Sequence, residues 1–192
     1  MLHISEKHQY DSTKNVVIFS NGCVQEYDNV SVKIAIYKER IDGWFLSVAH
    51  QLTANGMSPG DYVALMVALS YFEGAEQFRA GKETPSGQSG KWFRKSAKRI
   101  FLDQEDDVIN RLWKETRCGL FHSGFPNGYI YLSHDGPEAI LSSGAKITIN
   151  PKAFLDKVSA DHHTYISELE NASNTELRAN FEKLWDILWA KS

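Results

Sequence analysis

Two side chains able to handle a phosphate and a proton stand close together in the stretch Thr116 to Gly124. They are Arg117 and His122, with Cys118, Gly119, Leu120 and Phe121 between them. Histidine titrates near neutral pH and can give or take a proton. Arginine keeps its charge and fits a phosphate in a two-pronged grip. Together they can work on a phosphodiester without a metal. The same pair also has a plain structural meaning. A histidine near a helix C-terminus interacts well with the helix dipole, and an arginine there is ordinary.

The surrounding pattern predicts an amphipathic helix that ends on this stretch. Asp103 reads as its cap, Glu105, Asp106 and Asp107 crowd its first turn, and Arg111, Lys114 and Arg117 lie in its later turns. That order suits the dipole. Ile109, Leu112, Thr116 and Leu120 form the inner stripe, Gly119 loosens the coil, and Gly124 stops it. At about 100° per residue, Arg117 and His122 are roughly 140° apart around the axis. One helix therefore does not aim both at one point without a long arginine reach or a bent last turn. Trp113, four residues before Arg117, is placed to support the arginine stem.

Two other groups bear on the same chemistry. Tyr62, Met66, Leu69 and Glu73 fall on one line of a helix that starts at Ser58-Pro59, which sets a carboxylate on the apolar side. An unpaired buried charge is costly, so Glu73 needs a cation, and Arg117 is the candidate. A glutamate at the boundary that reaches water is the simpler account, as is a close helix crossing at Gly74. After a Gly-, Ser- and Pro-containing loop, Lys82 to Gly90, comes a short helix with five cations: Lys91, Arg94, Lys95, Lys98 and Arg99. Such a face is ordinarily just solvated. Beside Trp92 and Phe93 it can also follow a phosphate backbone.

Composition narrows the classes. The 192 residues suit one domain spanning 1–192, and 42% apolar with 23% charged residues is ordinary for a soluble globular chain. A net charge of -3 gives no global field to draw in nucleic acid, so any such contact needs a local patch. Cys23 and Cys118 lie in different predicted elements, which argues for a reducing compartment. The first seven residues hold no apolar run, so no signal peptide is expected. The longest apolar run, Tyr62 to Leu69, is too short to span a bilayer. A cytoplasmic location is the default. His162-His163 is adjacent rather than spaced like metal ligands, and His162 reads as a core-edge residue. No metal or cofactor is expected.

The predicted fold is mainly α: a helical bundle with a small antiparallel β meander inserted between late helices, residues 128–149, and an N-terminal extension or β-hairpin in residues 1–27. Residues 1–13 read as frayed, and Asn15–Phe19 and Cys23–Tyr27 pair around Asn21-Gly22. Residues 30–52 carry a helical stripe from Ile34 to Leu52, although Val30, Val32, Ile34 and Ile36 also alternate like a strand. Asn55-Gly56 ends that helix. Asn150-Pro151 and Ser173-Asn174-Thr175-Glu176 start the last two.

These pieces resemble the HEPN domain, an all-helical family with an arginine, four to six spacer residues and a histidine near the end of a late helix. Arg117-Cys118-Gly119-Leu120-Phe121-His122 matches the four-residue spacer, and Ala68 to Gly74 resembles an earlier helix that carries an acidic residue. The resemblance covers roughly residues 59 to 124. It implies a metal-independent endoribonuclease acting as a homodimer, with Arg117 and His122 catalytic and Glu73 positioning; the basic face of Lys91, Arg94, Lys95, Lys98 and Arg99 would then supply contacts to the RNA backbone. The family also holds non-catalytic modules that bind a nucleotide, RNA or a protein partner. Two positions depart from the active pattern: Cys118 follows the arginine where a polar residue is usual, and Phe125 stands where some toxins carry a modifiable tyrosine.

Overall fold

The computed structural model describes residues 2–54 and 59–189. The expected stop at Asn55-Gly56 and Ser58 at the next helix start lie outside them. Helix makes up 60% and strand 13% of the chain, and the strands form two separate sheets. The mainly-α helical bundle is therefore corrected to a mixed α and β fold, and both expected β elements change form.

The N-terminal hairpin is part of a four-stranded antiparallel sheet, β1 (Leu2–His3), β2 (His8–Asp11), β3 (Val16–Phe19) and β4 (Val24–Glu26), in that order. Residues 2–11 look too polar to be ordered, yet His8 pairs with Phe19 and Asp11 with Val16. The polar groups satisfy one another: Ser5 Oγ and His8 Nδ1 are 2.6 Å apart, and both residues are buried. Backbone pairing, this buried polar contact and the seating of Ile4 and Tyr10 on the apolar core of this sheet together order the segment.

The expected meander is a mixed sheet, β5 (Ile130–Leu132), β6 (Ile140–Ser143) and β7 (Lys146–Ile149), in the order β5-β7-β6. β6 and β7 form a hairpin, but β5 lies parallel to β7. A parallel neighbour needs a crossover rather than a tight turn. Residues 133–145, with β6 inside them, supply it, and the stretch just after β5 is pinned by His134 Nε2 at 3.1 Å from the buried Asp61 carboxylate. Ile130, Ile140, Ile147 and Ile149 turn inward.

Residues 30–37 are helical. Helix α1 (Val30–Ile41) starts where Asn29 Oδ1 accepts from the Ser31 amide at 2.9 Å. A π-helical turn, Asp42–Leu46, joins it to α2 (Ser47–Thr53). Then follow α3 (Gly60–Ala80), α4 (Ser89–Ile100), α5 (Asp106–Arg111), a second π-helical turn (Leu112–Arg117), α6 (Cys118–Ser123), α7 (Pro151–Glu170) and α8 (Thr175–Trp189).

Two apolar cores result. One joins α2 to α6 with the mixed sheet around Phe72, Phe93, Leu112 and Phe154. The other joins the antiparallel sheet to α1 and α8 around Val17, Ile36, Phe181 and Trp185. Helices α3 and α7 enter both, Phe78 and Tyr165 at their far ends completing the second.

Candidate functional site

The helix carrying Arg117 and His122 is not a regular α-helix. Its first residue is Asp106; Asp103, the expected cap, lies outside it, and Glu105 at the cap position makes no side-chain cap bond. At the π-helical turn the Cys118 amide donates to the Trp113 carbonyl, five residues back. Such insertions recur at functional sites because they re-aim side chains without ending the helix. The turn is anchored on one side by Arg111, which grips both Glu115 oxygens at 2.9 Å and also donates to the Ala145 carbonyl of the β6–β7 hairpin. Thr116 and Leu120 are buried on the inner side.

Arg117 emerges half-buried from this turn. Its guanidinium lies over the Trp113 ring at 4.9 Å and over the Phe121 ring at 4.7 Å. Trp113 in turn packs on buried Phe93, with 5.2 Å between ring centroids. The expectation that Trp113 supports the arginine holds. Among the described residues Arg117 has no carboxylate and no hydrogen-bond acceptor, so the Glu73 pairing is not made.

His122 is exposed in the last turn of α6, and Gly124 ends the helix with φ +78° while its amide donates to Leu120. It makes no hydrogen bond or ion pair among the described residues. Arg117 and His122 therefore share no hydrogen bond or ion pair within one protomer. Cys118 is a half-buried free thiol and Cys23 an exposed one.

Gly119, within the spacer, has a role different from loosening the coil. A Cβ there would stand 2.7 Å from the Phe125 carbonyl oxygen and 2.8 Å from the Asn127 nitrogen. Its bare backbone lets the loop after α6 lie directly on the helix, where the Asn127 amide donates to the Glu115 carbonyl.

Glu73 is half-buried with no ion pair among the described residues. The acid that α3 buries is Glu76, 1% exposed, held by Arg99 and by Lys95 at 2.8 Å. The buried carboxylate with its cations thus lies three residues beyond Glu73. Glu76 follows Phe72 by four positions and Leu65 by eleven, the innermost line of the helix; Tyr62 and Glu73 lie on its edge. Gly74 marks no close crossing, since nothing lies within 4 Å of where its Cβ would be.

The five cations of α4 divide into two groups. Lys95 pairs with Glu76, Lys98 with Asp106 at 2.6 Å, and Arg99 with Glu76 and, at 2.9 Å, with Asp161. Those three are internally neutralised. Lys91 and Arg94, near the helix start, have no ion pair among the described residues.

His162 is fully buried, with neither ring nitrogen hydrogen-bonded. Burial lowers its pKa to about 4, so the ring is neutral near pH 7. It is a core residue rather than one at the core edge. Among the described residues no cluster of three or more His, Cys, Asp or Glu side chains is placed to hold a metal ion. None of the described helices is long and apolar enough to cross a membrane. Comparison with family models, with curated proteins and with solved structures finds no match to this chain.

Proposed function

We propose that the chain is a metal-independent endoribonuclease that works as a homodimer, as the resemblance of its Arg117–His122 segment to the HEPN motif implies. The observation that carries this reading is that both side chains stand at the tail of one helix and, among the described residues, neither makes a hydrogen bond or an ion pair, Arg117 resting only on the Trp113 and Phe121 rings. In this reading a second copy completes the site of the two side chains, as the resemblance implies. The exposed rings of Phe121 and Phe125 beside them offer apolar surface for such pairing.

In this scheme histidine accepts the proton from a ribose 2′-OH as that oxygen attacks the adjacent phosphorus. The phosphorus–5′-oxygen bond breaks, and the 5′-oxygen leaves with the proton that histidine gives back. The products are a 2′,3′-cyclic phosphate and a 5′-hydroxyl. Arginine stabilises the charge that builds on the phosphate oxygens. Glu73 has no role here, because it meets neither residue. A cytoplasmic location goes with this reading.

A specific observation favours a second reading, a non-catalytic RNA- or nucleotide-binding module: Arg117 is held against two rings of its own helix rather than extended towards His122. Incubation of RNA in EDTA with the wild-type chain and with His122→Ala separates the two. The nuclease predicts cyclic-phosphate ends from the first only. Equal cleavage by both proteins, or a strictly monomeric chain at micromolar concentration, removes the nuclease reading.

A further inference from the structure

The chain has seven arginines. Five of them donate to a protein oxygen: Arg40 to Ile4, Arg79 to Glu168, Arg99 to Asp161, Arg111 to Glu115 and Arg178 to Leu169. The other two, Arg94 and Arg117, have no acceptor among the described residues. They sit on different helices, yet both reach the same indole.

Gly90 makes this meeting possible. The point where its Cβ would stand is 2.7 Å from Trp113 Nε1 and 3.1 Å from Arg94 Nη1. A bare backbone at that position lets the first turn of α4 press on the indole edge and brings the Arg94 guanidinium beside the indole N–H. Arg117 covers the ring face from the other helix, 4.9 Å from its centroid. The Trp113 N–H likewise has no acceptor among the described residues. Two guanidinium groups and one indole N–H thus lie about one ring, with no acceptor for their hydrogen bonds among the described residues.

Such a set of donors calls for a ligand with several acceptor oxygens and negative charge. A phosphate meets that need, since a guanidinium binds it through two parallel hydrogen bonds. The Phe121 ring beside Arg117, 40% exposed, offers a surface on which a base can stack, and stacking tolerates any base. The chain is acidic overall, and Lys95, Lys98 and Arg99 on the same helix are already paired, which leaves Arg94, with Lys91, as that helix's unpaired cations among the described residues.

We infer that Arg94, Trp113 and Arg117 form a phosphate-binding site for single-stranded nucleic acid. This deepens the proposed function because Arg117 belongs to both, but it assigns Arg94 and Trp113 to binding and requires no cleavage. Arg94 holds the strand, and Arg117, fixed by Trp113, contacts the phosphate.

The test uses the full chain and a fluorescein-labelled 2′-O-methyl oligouridylate, which lacks the attacking hydroxyl and is not cleaved. Binding is read by anisotropy over a range of salt concentrations. Arg94→Ala is expected to weaken binding about tenfold and to lower the salt slope by about one. Lys98→Ala, which removes an ion-paired cation from the same helix, should change affinity less than about twofold. Thermal melts confirm that both variants fold. Equal effects of the two variants overturn the site, as does absence of binding by the wild-type chain. Displacement of the probe as readily by uridine monophosphate, or by poly-glutamate of matched charge, overturns the assignment to a polynucleotide. If His122→Ala cleaves RNA like the wild type while Arg94→Ala still loses the probe, the nuclease reading falls and this site stands.

Discussion

The carbonyl oxygen of Phe125 lies 2.7 Å from where a Cβ on Gly119 would stand, so the loop after α6 rests on bare helix backbone. Both facing atoms, the Phe125 oxygen and the Asn127 nitrogen, belong to the main chain and cannot swing aside like a side-chain tip. Gly119→Ala is expected to push the loop off the helix and destabilise the chain by about 1–3 kcal/mol, the usual range for overpacking. Gly74→Ala is the matched control, because it lies in α3 with open space around it. Removing a helix-interior glycine there should stabilise by about 0.5–1 kcal/mol. Urea unfolding of the two variants gives the comparison; a Gly119→Ala protein as stable as wild type would show that the loop is not seated on the helix.

Glu76 and Arg99 make a second coupled pair. The carboxylate is 1% exposed, and Arg99 joins it to Asp161, which also accepts from the Tyr71 hydroxyl at 2.9 Å. Breaking a buried ion pair by removing one partner typically costs about 3–5 kcal/mol, because the other charge is left behind. Lys95 stays within reach of Glu76, so Arg99→Met is expected to cost somewhat less, about 2–4 kcal/mol. Replacing both residues, Arg99→Met with Glu76→Met, should recover part of that loss, since Glu76 then leaves no buried charge, while Asp161 still loses Arg99 and keeps Arg79 at 4.0 Å and the Tyr71 hydroxyl. Denaturant titration of the two single variants and the double variant reads the coupling. Additive losses would mean that the two residues do not act as a pair.

The features legible in the sequence are those set by neighbours in the chain. Asn150-Pro151 marks the start of α7, and Asn150 does cap it by accepting from the Ala153 amide at 3.1 Å. The i, i+4 relation of Trp113 and Arg117 likewise survives the π-helical turn. The features that were not legible depend on distant partners. Nothing local to His8–Asp11 reveals a strand, because its order comes from pairing with Val16–Phe19 and from the Ser5 contact. The parallel neighbour of β7 is set by where residues 133–139 dock, and that depends on Asp61, far back in the chain. At the site, a rotation of three residues separates Glu73 from Glu76, and hydrophobic periodicity fixes a helix face no more finely than that. The convergence of Arg94 and Arg117 on Trp113 needs two helices to cross at Gly90, and no spacing within either helix encodes it.

His162 makes stability depend on pH in a definite direction. Its ring is fully buried between α1, α3 and α7, near the rings of Tyr37 and Tyr71, with Asp42 at 3.5 Å and His163 beside it. Burial is the main cause that lowers its pKa to about 4, the Asp42 charge opposing it, whereas the unfolded chain titrates near 6.5. Between those values the unfolded state binds more protons than the folded one. The stabilisation is therefore complete above about pH 6.5 and is lost as pH falls towards 4, with a slope of up to about 1.4 kcal/mol per pH unit from this residue. His8 and His50 are also lowered by burial, so they add to the wild-type slope with the same sign. His162→Leu removes one contribution and leaves the other two, while Asp42 keeps His163 at 3.2 Å. Unfolding free energies measured at pH 7, 6 and 5 should therefore fall less steeply in the variant. Parallel lines for the two proteins would show that His162 is protonated as readily in the fold as outside it.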